Sequence, residues 1–290
     1  MLGRFGKDVG SLVGVEIAPD AVRIVQLQRR NRRCGVVAWA QERFELTPGC
    51  DWAVEPAVVA AALQRVCHRS GLRQRRVALA LPAEQVICKL CHLPVEHGEA
   101  EMEAQLLADA ERLFPFPLED LALDFQVMGP SLVQPGCAEV MVAACRQSAL
   151  APLAAVVEDA GLQLEVVEVD SIALRRLLPQ GSLEGAALLR VEAHGATLYD
   201  WPPGRSCQRR ELQAAGAKTM GGLPERLHTV LGGEHLPASM WVAGSSPIDT
   251  DELQRLLNVP CRHLPGLTGP EPVDGTMILA CALALGGLQP

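Results

Sequence analysis

Residues 12–44 read LVGVEIAPDAVRIVQLQRRNRRCGVVAWAQERF, and the reading of this stretch decides the fold. Leu12 to Ile17 is an apolar run, Ala18-Pro19-Asp20 breaks it, and Ala21 to Leu27 is a second run. The basic turn RRNRR leads into Gly35 to Phe44, again apolar and rich in β-formers. Three consecutive strands joined by tight turns form a meander. Pro56 then opens a helix with Val58, Val59, Ala62, Leu63 and Val66 on one face; Gly71 closes it, and a short buried strand follows from Val77 to Leu81.

The same order returns later. Ala186 to Val191 and Ala196 to Trp201 read as strands, and the turn Pro202 to Gly204 leads to a third strand from Ser206 to Leu212. A helix over about Thr219 to Leu231, a strand Met240 to Ala243, a helix over about Asp249 to Leu256, a short strand around Cys261 to Leu264 and a last helix over about Asp274 to Leu285 complete it. Three strands followed by alternating helix and strand, twice over, is the pattern of an α/β chain built as a duplicated ribonuclease H-like fold. The repeat is of element order, not of residue identity.

Between the halves lies an insertion. It reads as a strand (Val86 to His92), an acidic amphipathic helix (Glu99 to Leu113) with Met102, Leu106, Ala110 and Leu113 on one stripe, the segment FPFPLED (114–120), strands Leu121 to Met128 and Glu139 to Cys145, and a helix from about Ser148 to Ala160 ending at Gly161. The prolines of FPFPLED remove backbone donors and stop the helix before them. Leu164 to Asp170 and the helix Ser171 to Leu178 return the chain to the first half. The expected boundaries are 1–81 with 162–183 for the first half, 82–161 for a βαββα insertion, and 184–290 for a shortened second half.

Composition narrows the function. At 49% hydrophobic and 21% charged the chain is globular, and a formal charge of −8 opposes broad nucleic-acid binding. The basic clusters Arg29, Arg30, Arg32, Arg33 and Arg73, Arg75, Arg76 sit beside turn residues and read first as solvated turns, second as contacts for anionic lipid. No apolar core of signal-peptide length precedes Glu16 and Asp20, and Met277 to Leu288 covers roughly half the span needed to cross a bilayer, so a cytoplasmic chain that meets the membrane only through a partner is expected. The ten cysteines are scattered through apolar surroundings and suit small core residues in a reducing compartment. Cys88, Cys91 and His92 spell the pattern of c-type haem attachment, but the segment alternates as a strand, which turns positions three apart to opposite faces, and no second pair at zinc spacing occurs; no metal is expected.

The stretches EMEAQLLADAERLFPFPLEDLALDFQVMG (101–129), EVMVAACRQ (139–147), AGLQLEVVEVDSIALRR (160–176), GVEIAPDAVRIVQL (14–27) and the late CALAL (281–285) resemble the type IV pilus assembly protein PilM family. The resemblance is strong over most of residues 10–180 and weakens after Leu183. It is similar in turn to the cell-division protein FtsA, and implies an actin-like fold with an inserted FtsA-type α+β subdomain. It also implies ATP held between the halves, and a groove between the first half and the insertion that takes the short cytoplasmic N-terminal tail of the bitopic membrane protein PilN in the inner-membrane platform.

An actin-type ATP site needs small residues and backbone N–H groups at two phosphate hairpins, an acidic residue in each to organise hydrated Mg²⁺, and a Gly-rich turn beside the adenine. Where the family has Asp-Ile-Gly-Ser-Ser then Val-Lys, this chain has Glu16, Ile17, Ala18, Pro19, Asp20, Val22 and Arg23. Proline removes a donor, and Asp20 places a negative charge where phosphates would lie, which at about 4 Å costs on the order of 1–4 kcal/mol. The second hairpin, Asp-Ile-Gly-Ala in the family, is here Glu192, Ala193, His194, Gly195, with Ala196 and Thr197 behind it. The family's Gly-Gly survives as Gly221-Gly222, and the adenine turn as Ala243-Gly244-Ser245-Ser246. These departures together predict a degenerate site with no cofactor, and make Glu16, Ala18, Arg23, Glu192, His194, Gly195, Thr197, Gly221, Gly222, Gly244 and Ser245 the positions at which residual Mg-ATP binding would show.

No nucleophile elbow, HExxH or P-loop occurs, and no catalytic residue is assigned. For the partner groove the candidates are Glu101, Leu106 and Asp109 on the acidic helix, and Phe114, Phe116 and Leu118 beyond it; the phenylalanines also fit the insertion's own small core. An acidic rim of Glu99, Glu101, Glu103, Asp109 and Glu111 suits a basic tail. A scaffold that binds a PilN-like tail and other pilus or secretion platform components is the leading expectation, and an ATP-dependent switch of the same machine the second. A tethered filament former lacks a basic C-terminal helix, and a sugar kinase lacks intact phosphate hairpins.

Overall fold

The computed structural model describes residues 12–30, 33–47, 49–179, 185–192, 195–203, 207–213, 222–231, 236–244, 248–265 and 273–288. The first half carries β1 (Val13–Ile17), β2 (Ala21–Arg30), β3 (Arg33–Arg43), α1 (Pro56–Ser70) and β4 (Arg76–Leu81). The insertion carries β5 (Val86–Pro94), α2 (Glu99–Ala108), α3 (Ala110–Leu113), β6 (Leu121–Pro130) and β7 (Cys137–Arg146). Then come α4 (Gln147–Asp159), β8 (Gln163–Val169) and α5 (Asp170–Arg175). The second half has β9 (Ala186–Glu192), β10 (Gly195–Asp200), β11 (Gln208–Gln213), α6 (Leu223–Leu231), β12 (Ser239–Gly244), α7 (Thr250–Leu257), β13 (Cys261–His263) and α8 (Ile278–Gly286).

The duplication is one of topology. The two five-stranded sheets run β3-β2-β1-β4-β8 and β11-β10-β9-β12-β13, so each half arranges its own strands in the order 3-2-1-4-5. In each, the three meander strands pair antiparallel and the last two pair parallel. Parallel neighbours need a crossover, and α1 and α4 supply it in the first half, α6 and α7 in the second. Pro56 at the first turn of α1 and Gly71 at φ +66 beyond its end fix that helix's limits as expected.

The helix α4 differs from its sequence reading. Placed there as the last element of the insertion, it packs instead in the core of the first sheet, where Leu150, Leu153, Val156 and Val157 meet Val59, Leu63 and Val66 of α1. The insertion's own core forms on the three-stranded sheet β5-β7-β6, from Leu93, Met102, Leu106, Phe114, Val140 and Val142. The acidic helix also breaks after Ala108 into the short α3, rather than running unbroken to Leu113.

Two helices join the halves. Leu174 and Leu178, at and beyond α5, and Ile278, Leu279 and Leu283 of α8 pack with Leu12, Leu188, Tyr199, Trp201 and Trp241 in one shared core. The opposite face of α8 (Ala280, Cys281, Ala284) lies on Val25, Leu27 and Val36 of the first sheet. Covered on both sides, α8 has no polar face, which is why ILACALALG lacks helical amphipathicity. Among the described residues no helix is long and apolar enough to cross a membrane.

Candidate functional site

The hairpins at the ends of β1 and β9 meet across the cleft between the halves. Glu16 stands directly opposite Arg23 in the β1–β2 register. Arg190 and Glu192 are two residues apart on β9 and so point to the same face. Each half therefore offers one carboxylate and one guanidinium, and they interlock. Arg23 Nη1 donates to Glu192 Oε1 at 2.6 Å and to Glu16 Oε1 at 3.3 Å. Arg190 Nη2 donates to Glu192 Oε1 at 2.5 Å and to Glu16 Oε1. Both arginines also reach the Thr276 carbonyl, in the turn before α8, at 3.4 Å.

The quartet carries two positive and two negative charges. Glu16, Arg23 and Arg190 are buried, a location that ionised groups reach only when paired. Burial pushes the Glu192 carboxyl up, but the Arg190 and Arg23 charges and hydrogen bonds outweigh it and hold it below the ordinary carboxylate range. Burial likewise works against the Arg190 charge, yet Glu16 and Glu192 raise its pKa above the usual guanidinium value. The two carboxylates that an actin-type site would use to organise hydrated Mg²⁺ are thus both held in ion pairs. In the first hairpin Ala18 donates its N–H to Ala21 O at 2.8 Å, and Pro19 has none to give. Among the described residues, a Mg-triphosphate would compete with these ion pairs for both carboxylates.

From the quartet a cleft of about 790 Å³ runs outward between the halves and beneath the insertion. Ile17, Ala18 and Pro19 line it from the first hairpin, Ala149, Pro152 and Leu153 from α4, Ile87 and Phe116 from the insertion, and Thr197, Tyr199, Arg209 and Glu211 from the second half. Phe116 is held at its mouth by the Arg146 guanidinium, 5.5 Å from the ring centroid. Asp120 fixes the N-terminus of α4, accepting from Ser148 N at 2.8 Å and Ser148 Oγ at 3.0 Å.

A second polar node closes the far side. Asp170, buried at the end of β8, accepts from Tyr199 Oη at 2.9 Å, from Ala83 N at 2.9 Å and from Ser171 N at 2.6 Å. Arg209 Nε lies 3.3 Å from Asp170 Oδ2, and its Nη1 bonds Glu84 Oε1 at 2.6 Å. Burial raises the Asp170 carboxyl pKa, against the Tyr199 bond and the Arg209 charge, and pushes the Tyr199 phenol above its usual range. The stem of the insertion is thereby tied to the second half.

The structure brings together Glu16, Arg23 and Glu192, and sets Ala18 and Thr197 on the cleft wall. Gly195 begins β10 opposite Glu192. Gly222 lies at the exposed start of α6 and lines no described cavity. Gly244 ends β12 at φ +145, where a Cβ would stand 1.8 Å from Val191 O, and borders a separate cavity of about 230 Å³. His194, Gly221 and Ser245 lie outside the described residues.

Of the groove candidates, Phe116 alone lines the cleft. Leu106 and Phe114 are buried in the insertion's core. Glu101 accepts from Gly98 N at the start of α2, Asp109 pairs with Arg112 at 2.9 Å, and Leu118 is exposed and is not among the residues lining the cleft. Reasoning from sequence missed Arg190, Thr276, Asp170, Tyr199 and Arg209. A signal was present for Arg190: it interrupts the apolar run AALLRV, and a buried strand tolerates a guanidinium only beside a carboxylate.

Comparison with known proteins agrees with this architecture. The PilM–PilN type IV pilus biogenesis complex is similar at TM-score 0.73 and 22% identity, over 97% of this chain and 99% of that one. EutJ, an ethanolamine utilization protein from Carboxydothermus hydrogenoformans, follows at 0.54 and 11%, over 96% and 90%. The cytoplasmic domain of EpsL, an inner-membrane component of the Vibrio cholerae type II secretion system, follows at 0.51 and 15%, over 95% of each chain. The fold is the actin-like one. A family model described as type IV pilus assembly protein PilM matches residues 14–187, well over half the length, and the chain belongs to that family.

Proposed function

We propose that this chain is a cytoplasmic scaffold of a type IV pilus-like inner-membrane platform, binding the cytoplasmic N-terminal tail of a PilN-like bitopic membrane protein and meeting the membrane through it. The observation that carries the reading is the shape of the cleft: one continuous channel from the first hairpin to Ile87 and Phe116 of the insertion, whose polar floor is already self-neutralised. Apolar walls with polar ends suit an extended peptide, which satisfies its own backbone along the walls and places alternate side chains in pockets. A volume of about 790 Å³ lies within the usual range for small-ligand sites and accommodates several residues. The same quartet supports a degenerate nucleotide site and a role without turnover, because a Mg-triphosphate would have to break ion pairs in order to coordinate.

Titration calorimetry tests both parts. Mg-ATP is expected to give no saturable heat up to millimolar concentration, while a synthetic N-terminal peptide of the PilN-like partner saturates. Micromolar Mg-ATP binding would instead favour the switch reading. Within the cleft, Phe116→Ala is expected to weaken the peptide about tenfold, the size of an aromatic anchor lost from a wall. Phe114→Ala is expected to act differently, lowering the stability of the insertion by about 3–5 kcal/mol, because that ring is buried in its core. If Phe116→Ala leaves peptide affinity unchanged while the fold is intact, the tail does not occupy this cleft.

A further inference from the structure

The first sheet gathers positive charge at the end remote from the cleft. Val13 is level with Gln26 of β2 on one side and with Val77 of β4 on the other. Beyond that level β2 runs on through Leu27 and Gln28 to Arg29 and Arg30, and Arg33 of β3 pairs with Arg30 at the tip. β4 begins one residue beyond the same level, at Arg76, with Arg73 and Arg75 in the turn that leads into it. Two basic clusters far apart in sequence therefore share one end of one sheet. Only β1 lies between β2 and β4, a separation of about 10 Å at the usual strand spacing.

That end is fixed in shape and left uncompensated in charge. Gln74 Oε1 accepts from Arg75 N at 2.9 Å and from Arg76 N at 3.0 Å, and Gln163 N donates to Arg75 O at 2.8 Å. Glu165 takes up Arg76 at 3.1 Å, but Arg29, Arg73 and Arg75 are exposed and have no ion-pair partner among the described residues. None of the three lines a described cavity, so this end does not enclose a single anion. The guanidinium groups are spread over two turns instead. On the same hairpin the register shift at Gln26/Leu27 leaves Val37 unpaired and 51% exposed. A formal charge of −8 over the whole chain opposes a polyanion that wraps the protein, whereas a planar surface meets this end alone.

We propose that this end is a contact surface for the anionic face of a lipid bilayer, with Arg29, Arg73 and Arg75 over the headgroups and Val37 beside them. The inference goes beyond the docking reading, adding a direct contact to the one made through the partner. Geometry relates the two. β2 runs from the cleft hairpin at Ala21 to Arg30 at the tip, about 30 Å at the usual rise per residue. With the strands upright on the bilayer, a tail leaving the membrane reaches the cleft with about ten extended residues.

Vesicle flotation of the full chain tests this without the partner, so the outcome is independent of tail binding. Vesicles of mixed phosphatidylglycerol and phosphatidylcholine are compared with vesicles of phosphatidylcholine only. Three double variants remove equal charge: Arg29→Gln/Arg30→Gln at the hairpin tip, Arg73→Gln/Arg75→Gln in the turn before β4, and Arg255→Gln/Arg262→Gln at exposed positions of the second half. The parent is expected to float with the anionic vesicles, to stay behind with the neutral ones, and to be released by salt. Each of the first two variants is expected to lose about tenfold in vesicle affinity, and the third to bind like the parent. No binding by the parent, equal binding to neutral vesicles, or an equal loss in all three variants overturns the proposal. A loss confined to one of the first two overturns the shared surface. A parent that binds a short DNA duplex more tightly than anionic vesicles overturns it in favour of nucleic acid.

Discussion

Gly14→Val is expected to destabilise the chain by at least about 3 kcal/mol, enough to lower its unfolding midpoint clearly in urea. Gly14 is the second residue of β1, and a Cβ there would stand 1.9 Å from the Ala280 carbonyl oxygen and 2.7 Å from Ala284 N. Both are backbone atoms of a helix, so no rotamer change relieves the clash. Either α8 lifts from the sheet or β1 leaves its register. Lifting α8 disrupts both the contact of Ala280, Cys281 and Ala284 with Val25 and Leu27 and the shared core of Ile278, Leu279 and Leu283. Trp201 and Trp241 belong to that shared core, which makes their fluorescence a direct reporter of whether the halves stay joined. Gly98→Ala is the matching control, since a Cβ there meets nothing within 4 Å, and it is expected to cost under about 1 kcal/mol. A Gly14→Val protein that unfolds at the parent's urea midpoint would show that α8 is not seated on β1.

The order of elements was legible in the sequence because its signals are local. Apolar alternation, the Ala18-Pro19-Asp20 break and the Pro56/Gly71 pair each report on a few neighbouring residues, and the same signals recur after Ala186. The partner of α4 was not legible from α4 itself. Its stripe of Leu150, Leu153, Val156 and Val157 would suit either neighbouring sheet, and periodicity names a face but not what covers it. The deciding constraint was available one level up. β4 and β8 pair in parallel, and a parallel pair needs a helix to carry the chain back. For the site, the two acidic hairpin positions were legible, but their closure with Arg23 and Arg190 depends on contacts spanning 169 and 174 residues of sequence, which no local pattern encodes. Glu101 of α2 and Asp109 just beyond it show the opposite case, a purely local one: their partners Gly98 and Arg112 lie three residues away.

Removing one charge of the quartet is expected to cost about as much as any single change in the chain, and removing a matched pair less than the two singles together. Arg190→Met leaves Glu16 and Glu192 sharing Arg23, a buried surplus of one negative charge, and is expected to destabilise by about 3–5 kcal/mol. Glu16→Gln leaves the opposite surplus and is expected to cost a similar amount. The double variant restores neutrality, and its loss is expected to fall short of the sum of the singles by at least about 1 kcal/mol in a double-mutant cycle. The pH dependence has a definite sign. Glu192 has a folded-state pKa held below the ordinary carboxylate value, so its ion pairs add stability above that value, and the addition disappears as pH falls through the lowered folded value. Arg190→Met lacks the Arg190 share of that contribution at any pH, while Arg23 keeps its own. The gap between parent and variant should therefore be widest near neutrality and shrink in acid, as urea titrations at about pH 7 and about pH 3.5 would register. A constant gap would mean that Arg190 stabilises the halves through packing of its aliphatic stem and not through Glu192.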